Sequence, residues 1–169
     1  MRELLIGCGM ARRKQLSLTS HPGWENVTTL DSVASHNPNV VHDLEVLPYP
    51  FADAEFDEIH AYDVLEHTGM QGDWRFFFAQ WTEFHRILKP GGYFFGIVPH
   101  YASAWAWGDP SHTRVVSVEQ LHFLSQKFYE NVGKTNMSDF RHCWHGNFEL
   151  VDHGLQEGRQ VFVLRKAVH

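Results

Sequence analysis

Three groups of residues in this chain could do chemistry. The first is Gly7-Cys8-Gly9, set directly after the apolar run Leu4-Leu5-Ile6. A buried strand that ends in glycines lets the backbone come close to a ligand at the carboxyl edge of an open α/β sheet. The second is a pair of acids at predicted strand ends. Asp31 follows Val27–Leu30, 22 positions after Gly9, and Asp43 follows Val40-Val41. A carboxylate like Asp31 can accept hydrogen bonds from both hydroxyls of a ribose, as acids do in nucleotide-binding folds. The third is histidine, of which the chain holds 13. His67, His100 and His112 fall near predicted strand ends or loops, where a neutral imidazole can take a proton near pH 7. The alternatives are an ordinary tight turn at the glycines and solvated loop acids.

These groups need elements to bring them together. Strands are expected at Leu4–Ile6, Val27–Leu30, Val40-Val41, Phe56–Tyr62, Tyr93–Val98, Phe148–Val151 and Gln160–Leu164. A short basic helix is expected over 11–18, and the run Arg12-Arg13-Lys14 reads as a solvated face. Asp73 predicts the N-cap of a helix over 74–88. There Trp74, Phe77, Phe78, Trp81, Phe84 and Leu88 recur at helical spacing and form a core stripe. Lys89-Pro90-Gly91-Gly92 predicts its end. A further helix is expected over 118–129. The alternation predicts a mostly parallel sheet with helices on both faces.

Composition narrows the function classes. A chain of 169 residues makes one domain, residues 1–169, that can bury roughly 70% of its unfolded surface. The formal charge of −6 lacks the basic stripe that nucleic acid requires. No apolar run is long enough to span a membrane. The first strand begins at once, leaving no room for a signal peptide. Cys8 and Cys143 form no CxxC pair and read as free thiols of a cytoplasmic protein.

In order along the chain stand Ile6-Gly7-Cys8-Gly9, Leu30-Asp31, His42-Asp43-Leu44, Pro50-Phe51-Ala52-Asp53, Phe56-Asp57-Glu58-Ile59, Val64-Leu65-Glu66-His67 and Leu88-Lys89-Pro90-Gly91-Gly92. Each motif is weak alone. Together, over about residues 3–100, they resemble the class I S-adenosylmethionine-dependent methyltransferases, in the small type with this motif series. The resemblance implies a Rossmann-like, doubly wound, mostly parallel seven-stranded sheet with an antiparallel C-terminal strand pair. It also implies S-adenosyl-L-methionine as cofactor. Gly7, Cys8 and Gly9 would face its methionine part, Asp31 and Ser32 its ribose, and Asp43 its adenine amino group. Leu44 would pack on the adenine, and Tyr62 and Asp63 would lie below the sulfonium.

The resemblance places the substrate pocket after the fifth strand. His100 would be the first candidate for proton removal, with His112 and His67 in reserve. Similar small methyltransferases carry an Asp-Pro-x-His-x-Arg stretch, matched here by Asp109, Pro110, His112 and Arg114. Trp107, Asp109 and Arg114 would then meet the substrate, a small polar molecule taking the methyl on oxygen or nitrogen. The structural alternative packs Trp105 and Trp107 on helix 74–88 and pairs Asp109 with Arg114. Asp63, Glu66 and His67 resemble an acid-x-x-Glu-His stretch that holds a divalent ion in ubiquinone-pathway O-methyltransferases. Metal-free relatives share Glu66-His67, and no metal is expected. A homodimer is left open, as is what covers the cofactor, because no segment precedes the first strand.

Two other readings compete. In a nicotinamide-dependent oxidoreductase the third glycine of the fingerprint would fall at Arg12, where close helix–strand packing forbids a long side chain. A non-catalytic binding module would keep the glycine loop and need no polar residues at the substrate edge.

Overall fold

The computed structural model describes residues 1–18 and 23–168. Seven strands form one sheet in the order β3-β2-β1-β4-β5-β7-β6. They are β1 (Glu3–Ile6), β2 (Val27–Asp31), β3 (Val40–Val41), β4 (Phe56–Tyr62), β5 (Leu88–Pro99), β6 (Phe148–Gln156) and β7 (Arg159–Lys166). The first five pair in parallel. β7 runs antiparallel to both β5 and β6. The expected seven-stranded, mostly parallel sheet with an antiparallel C-terminal pair is therefore present. The buried runs of β1 and β4 follow from their position at the centre of the sheet, covered on both faces.

One face carries most of the core. Helix α1 (Trp74–Ile87) packs there through Phe78, Trp81, Phe84 and Ile87 against Leu4, Ile59 and Phe94. Asp73 caps it as expected, its carboxylate accepting the Phe76 N–H at 3.0 Å. The strand after α1 starts earlier than expected. Leu88 already pairs with Phe56, and Lys89-Pro90-Gly91-Gly92 spans the register shift before Tyr93.

The other face differs from expectation. No α-helix forms over 11–18. The Tyr62 hydroxyl accepts the N–H groups of Gln15 and Leu16, and the Trp24 indole donates to the Arg12 carbonyl at 2.6 Å. These tertiary partners take the backbone groups that helical turns would use, so the segment lies as irregular chain, with Leu16 and Trp24 over Leu5, Cys8, Tyr62 and Ile97. Nor is Lys14 on a solvated face. Its ammonium is buried between Glu3 (2.6 Å) and Glu58 (2.9 Å). The expected helix over 118–129 is also broken. Only a short helix, α2 (Val118–Leu121), is α-helical there, and Ser125, in an extended conformation, separates two 3-10 turns that follow.

This architecture delivers the loops after β1, β2, β4 and β5 to one sheet edge. The antiparallel hairpin returns to that edge as well, since Arg159 opens β7 opposite Pro99.

Candidate active site

At the first loop, Gly7 and Gly9 both take left-handed backbone angles, φ 58° and 49°. Their reasons differ. A Cβ on Gly7 would lie 2.2 Å from a Val64 methyl, whereas one on Gly9 would meet nothing within 4 Å. Gly7 is thus fixed by packing against the loop after β4, and Gly9 borders open space. Cys8 turns its side chain into the core, and its N–H is used by the Leu30 carbonyl at 3.2 Å. It offers neither side chain nor N–H to a ligand.

Asp31 joins this loop to the next. Its carboxylate accepts the N–H of Gly9 and of Val33, each at 2.8 Å, with the His36 ring nitrogen at 3.2 Å. Burial alone would raise its pKa, and these donors outweigh burial and hold it below the usual carboxylate value. A carboxylate has about four acceptor positions, and only the Gly9 and Val33 N–H groups fill one each, so acceptor capacity is left. Ser32 and Asp43 stand exposed beside it, Asp43 accepting the Glu45 N–H at 2.9 Å. Leu44 is buried in the α1-side core and the Tyr49 hydroxyl donates to its carbonyl.

The end of β4 is occupied differently than expected. The Tyr62 side chain points into the second face, where it braces residues 15–16 and touches His60 at 2.6 Å. Asp63 takes φ 50° and binds Arg159 at 3.0 Å. That ion pair ties the β4 end to the C-terminal hairpin.

The loop after β4 is laced to the stretch Asp109–Arg114. The Glu66 carbonyl accepts the Thr113 N–H at 2.9 Å, and Arg114 is buried, donating to Leu65, Thr68 and Gln80. Arg114 therefore anchors the loop to α1 and does not pair with Asp109. Asp109 instead accepts Ser111 through both its N–H and hydroxyl. This lacing brings His67 and His112 together, their rings edge to face at 4.7 Å. Both line a cleft of about 410 Å³ with Glu66, Asp63, Asp109 and Trp105. Glu66 is 2% exposed, and neither carboxylate oxygen has a hydrogen-bond partner. Burial pushes its pKa up to about 8. The sequence names Glu66 only through a resemblance to other enzymes. Its burial between apolar Val64-Leu65 and the laced loop is a tertiary fact.

His100, the first candidate for proton removal, does not line that cleft. Its ring stacks on Tyr101 at 4.2 Å, and Nδ1 accepts the Ala102 N–H at 3.3 Å. Trp107 donates its indole N–H to the Tyr101 carbonyl and is 68% exposed, as Trp105 is at 72%. Neither packs on α1. A second, aromatic cleft of about 290 Å³ sits beside the start of α1, lined by Trp74, Phe77, Phe123 and Phe140.

Solved structures share this fold. A SAM-dependent methyltransferase from Archaeoglobus fulgidus is 17% identical over 98% of this chain and 86% of its own, with a TM-score of 0.60. The N-methyltransferase NodS from Bradyrhizobium japonicum WM9, in complex with S-adenosyl-L-homocysteine, is 15% identical over 98% of this chain and 77% of its own, at 0.58. The [4+2]-cyclase SpnF is 16% identical over 99% and 75%, at 0.59. No match to the chain is found among the curated proteins. At these identities the likeness is one of fold, and a fold hosts more than one reaction. The family is given by sequence: the methyltransferase-domain model matches residues 4–96, from the first residues of β1 into β5. The resemblance read from the motif series is thereby borne out, and this chain belongs to the methyltransferase domain family.

Proposed function

We propose that this chain moves the methyl group of S-adenosylmethionine to an oxygen or nitrogen of a small polar molecule. The observation that carries the reading is the convergence at one sheet edge of the glycine turn, Asp31 and a polar cleft that holds His67 and His112 beside Asp63, Glu66 and Asp109. The residues suit the cofactor. Open space at Gly9 admits a ligand against the backbone, and the remaining acceptor capacity of Asp31 suits ribose hydroxyls. Asp43 and Ser32 stand exposed beside it. The kinship with S-adenosylmethionine-dependent and S-adenosylhomocysteine-bound structures agrees.

When bound, the cofactor supplies an electrophilic methyl, and the chain supplies position and proton removal. His67 and His112 are the side chains placed for that removal. Each directs Nδ1 at a backbone carbonyl, Ser111 at 3.2 Å and Trp105 at 2.8 Å. Carbonyls only accept, so in the neutral form of each ring Nδ1 carries the hydrogen and Nε2 the lone pair. His100 is a weaker candidate, because it lies outside the cleft lining. The cleft's size and the net charge of −6 suit a small polar acceptor better than nucleic acid.

Calorimetry tests the reading. S-adenosylmethionine and S-adenosylhomocysteine should each bind with one site per chain, and NAD should give no heat. Asp31→Ala should weaken both by about 1.5–3 kcal/mol, the range of a hydrogen bond to a charged group. Equal affinity for NAD, or an unchanged constant in a folded Asp31→Ala protein, would overturn it.

A further inference from the structure

An ionisable group buried without a partner is costly, and folded proteins pair such groups or give them a metal. Glu66 has neither partner nor water access: it is 2% exposed and both oxygens lack a hydrogen bond. Its environment is arranged for a cation. One ligand atom each from Glu66, His67 and His112 lies within 4.8 Å of the others. Both imidazoles are oriented from behind by backbone carbonyls, Ser111 for His67 and Trp105 for His112. A carbonyl behind Nδ1 is how metal-binding histidines are commonly held, because it fixes the tautomer and leaves Nε2 as the ligand. The His112 side chain is only 8% exposed, with Asp109 3.8 Å from its Nε2. The scaffold is rigid, since Glu66 and the 109–114 loop share backbone hydrogen bonds.

We propose that Glu66, His67 and His112 form a binding site for one divalent transition-metal ion of the zinc class. Two imidazoles and one carboxylate suit such an ion, whereas magnesium and calcium take oxygen ligands. Asp63 is not part of the set, because Arg159 holds its carboxylate. A contrast lies on the opposite face. Glu3, Glu58 and His60 form a similar triad, but the Lys14 ammonium already sits between the two carboxylates as their cation. Among the described residues no cation hydrogen-bonds the Glu66 carboxylate: Arg114 acts on it only through its charge and donates to Leu65, Thr68 and Gln80 instead. Three protein ligands leave positions open toward the cleft. If the methyl-transfer reading holds, an ion there would take the Nε2 lone pairs of His67 and His112 and replace their proton removal, binding the acceptor's hydroxyl and favouring its ionised form.

The test uses chelator-stripped, tag-free protein and needs no turnover. Zinc titrated by calorimetry should bind at one equivalent, and cobalt should give the visible absorption of a low-coordinate site. Magnesium in millimolar excess should not compete. Glu66→Gln and His112→Ala should each weaken zinc by at least ~10–100-fold, the cost seen even for partners behind the ligands. His122→Ala, outside the cluster, should not. Should His112→Ala fail to fold, His67→Ala on its exposed side chain serves in its place. Absence of a stoichiometric site, competition by magnesium, or wild-type zinc affinity in the Glu66 and histidine variants would each overturn the proposal. Heats for S-adenosylmethionine measured separately show whether the cofactor reading stands when the metal site does not.

Discussion

Single atoms decide much of this edge. At Gly7 an added methyl would sit 2.2 Å from Val64 Cγ2, on a backbone at φ 58°. Gly7→Ala should therefore destabilise the fold by about 1–3 kcal/mol, the usual cost of overpacking. Urea denaturation measures it, and Val64→Ala in the same chain should recover part of the loss. No recovery would mean that backbone conformation alone forbids a side chain there. Gly9, with open space where its Cβ would be, leaves the room that the proposed cofactor would use. A sequence pattern treats both glycines alike, since either gives the same letter. Likewise Asp31 was legible as the acid ending a strand, but its engagement by Gly9 and Val33 was not. That takes the parallel pairing of β1 and β2, which brings residues 22 apart into contact.

At the scale of elements, the second face is held by a buried ion cluster where a helix was expected. Lys14 reaches Glu3 on β1 and Glu58 on β4, and Glu58 also meets His60 at 2.9 Å. Lys14→Met would leave two carboxylates buried close together with no cation. Removing one partner of a buried pair costs about 3–5 kcal/mol, and a loss of that order should appear in chemical denaturation. Adding Glu3→Gln and Glu58→Gln should restore most of it. A change below about 1 kcal/mol would show that water reaches the carboxylates once the ammonium is gone. The helix expected over 11–18 had reasonable local signals. Tyr62 and Trp24 claim its backbone groups instead, and both lie far from it in sequence or outside its window. α1 was legible almost to the residue, because its stripe and its Asp73 cap are local.

Across the molecule, His85 links α1 to the C-terminal hairpin. Its ring lies edge-on to Phe148 at 5.3 Å, Nε2 accepts the Asn147 N–H at 3.3 Å, and its carbonyl accepts Lys166. Burial, with Lys166 nearby, lowers its pKa from 6.5 to about 4. The folded state thus favours the neutral ring. Stability from this site is complete above pH 6.5 and is lost as pH falls from there through about 4, because the unfolded chain takes the proton first. The melting temperature should fall over that window, and His85→Gln, which keeps an acceptor for Asn147, should flatten the decline. An identical slope in the variant would assign the acid sensitivity to other groups, such as His60.

By itself the sequence determined what depends on local order. Each strand and helix, the cap and break of α1, the glycine turn and the acid at each of two strand ends is set by residues adjacent in the chain. Each motif is local too, and it is their order along residues 6–92 that resembles the methyltransferases. The tertiary structure alone decided which side chains share a cleft. His67 and His112 meet because Glu66 and Thr113 hydrogen-bond across two loops, while His100, one residue beyond β5, turns aside onto Tyr101. The burial of Glu66 and of Lys14 was invisible for the same reason. A charged letter reads as solvent-exposed until the fold shows what surrounds it, and that depends on contacts between segments remote along the chain.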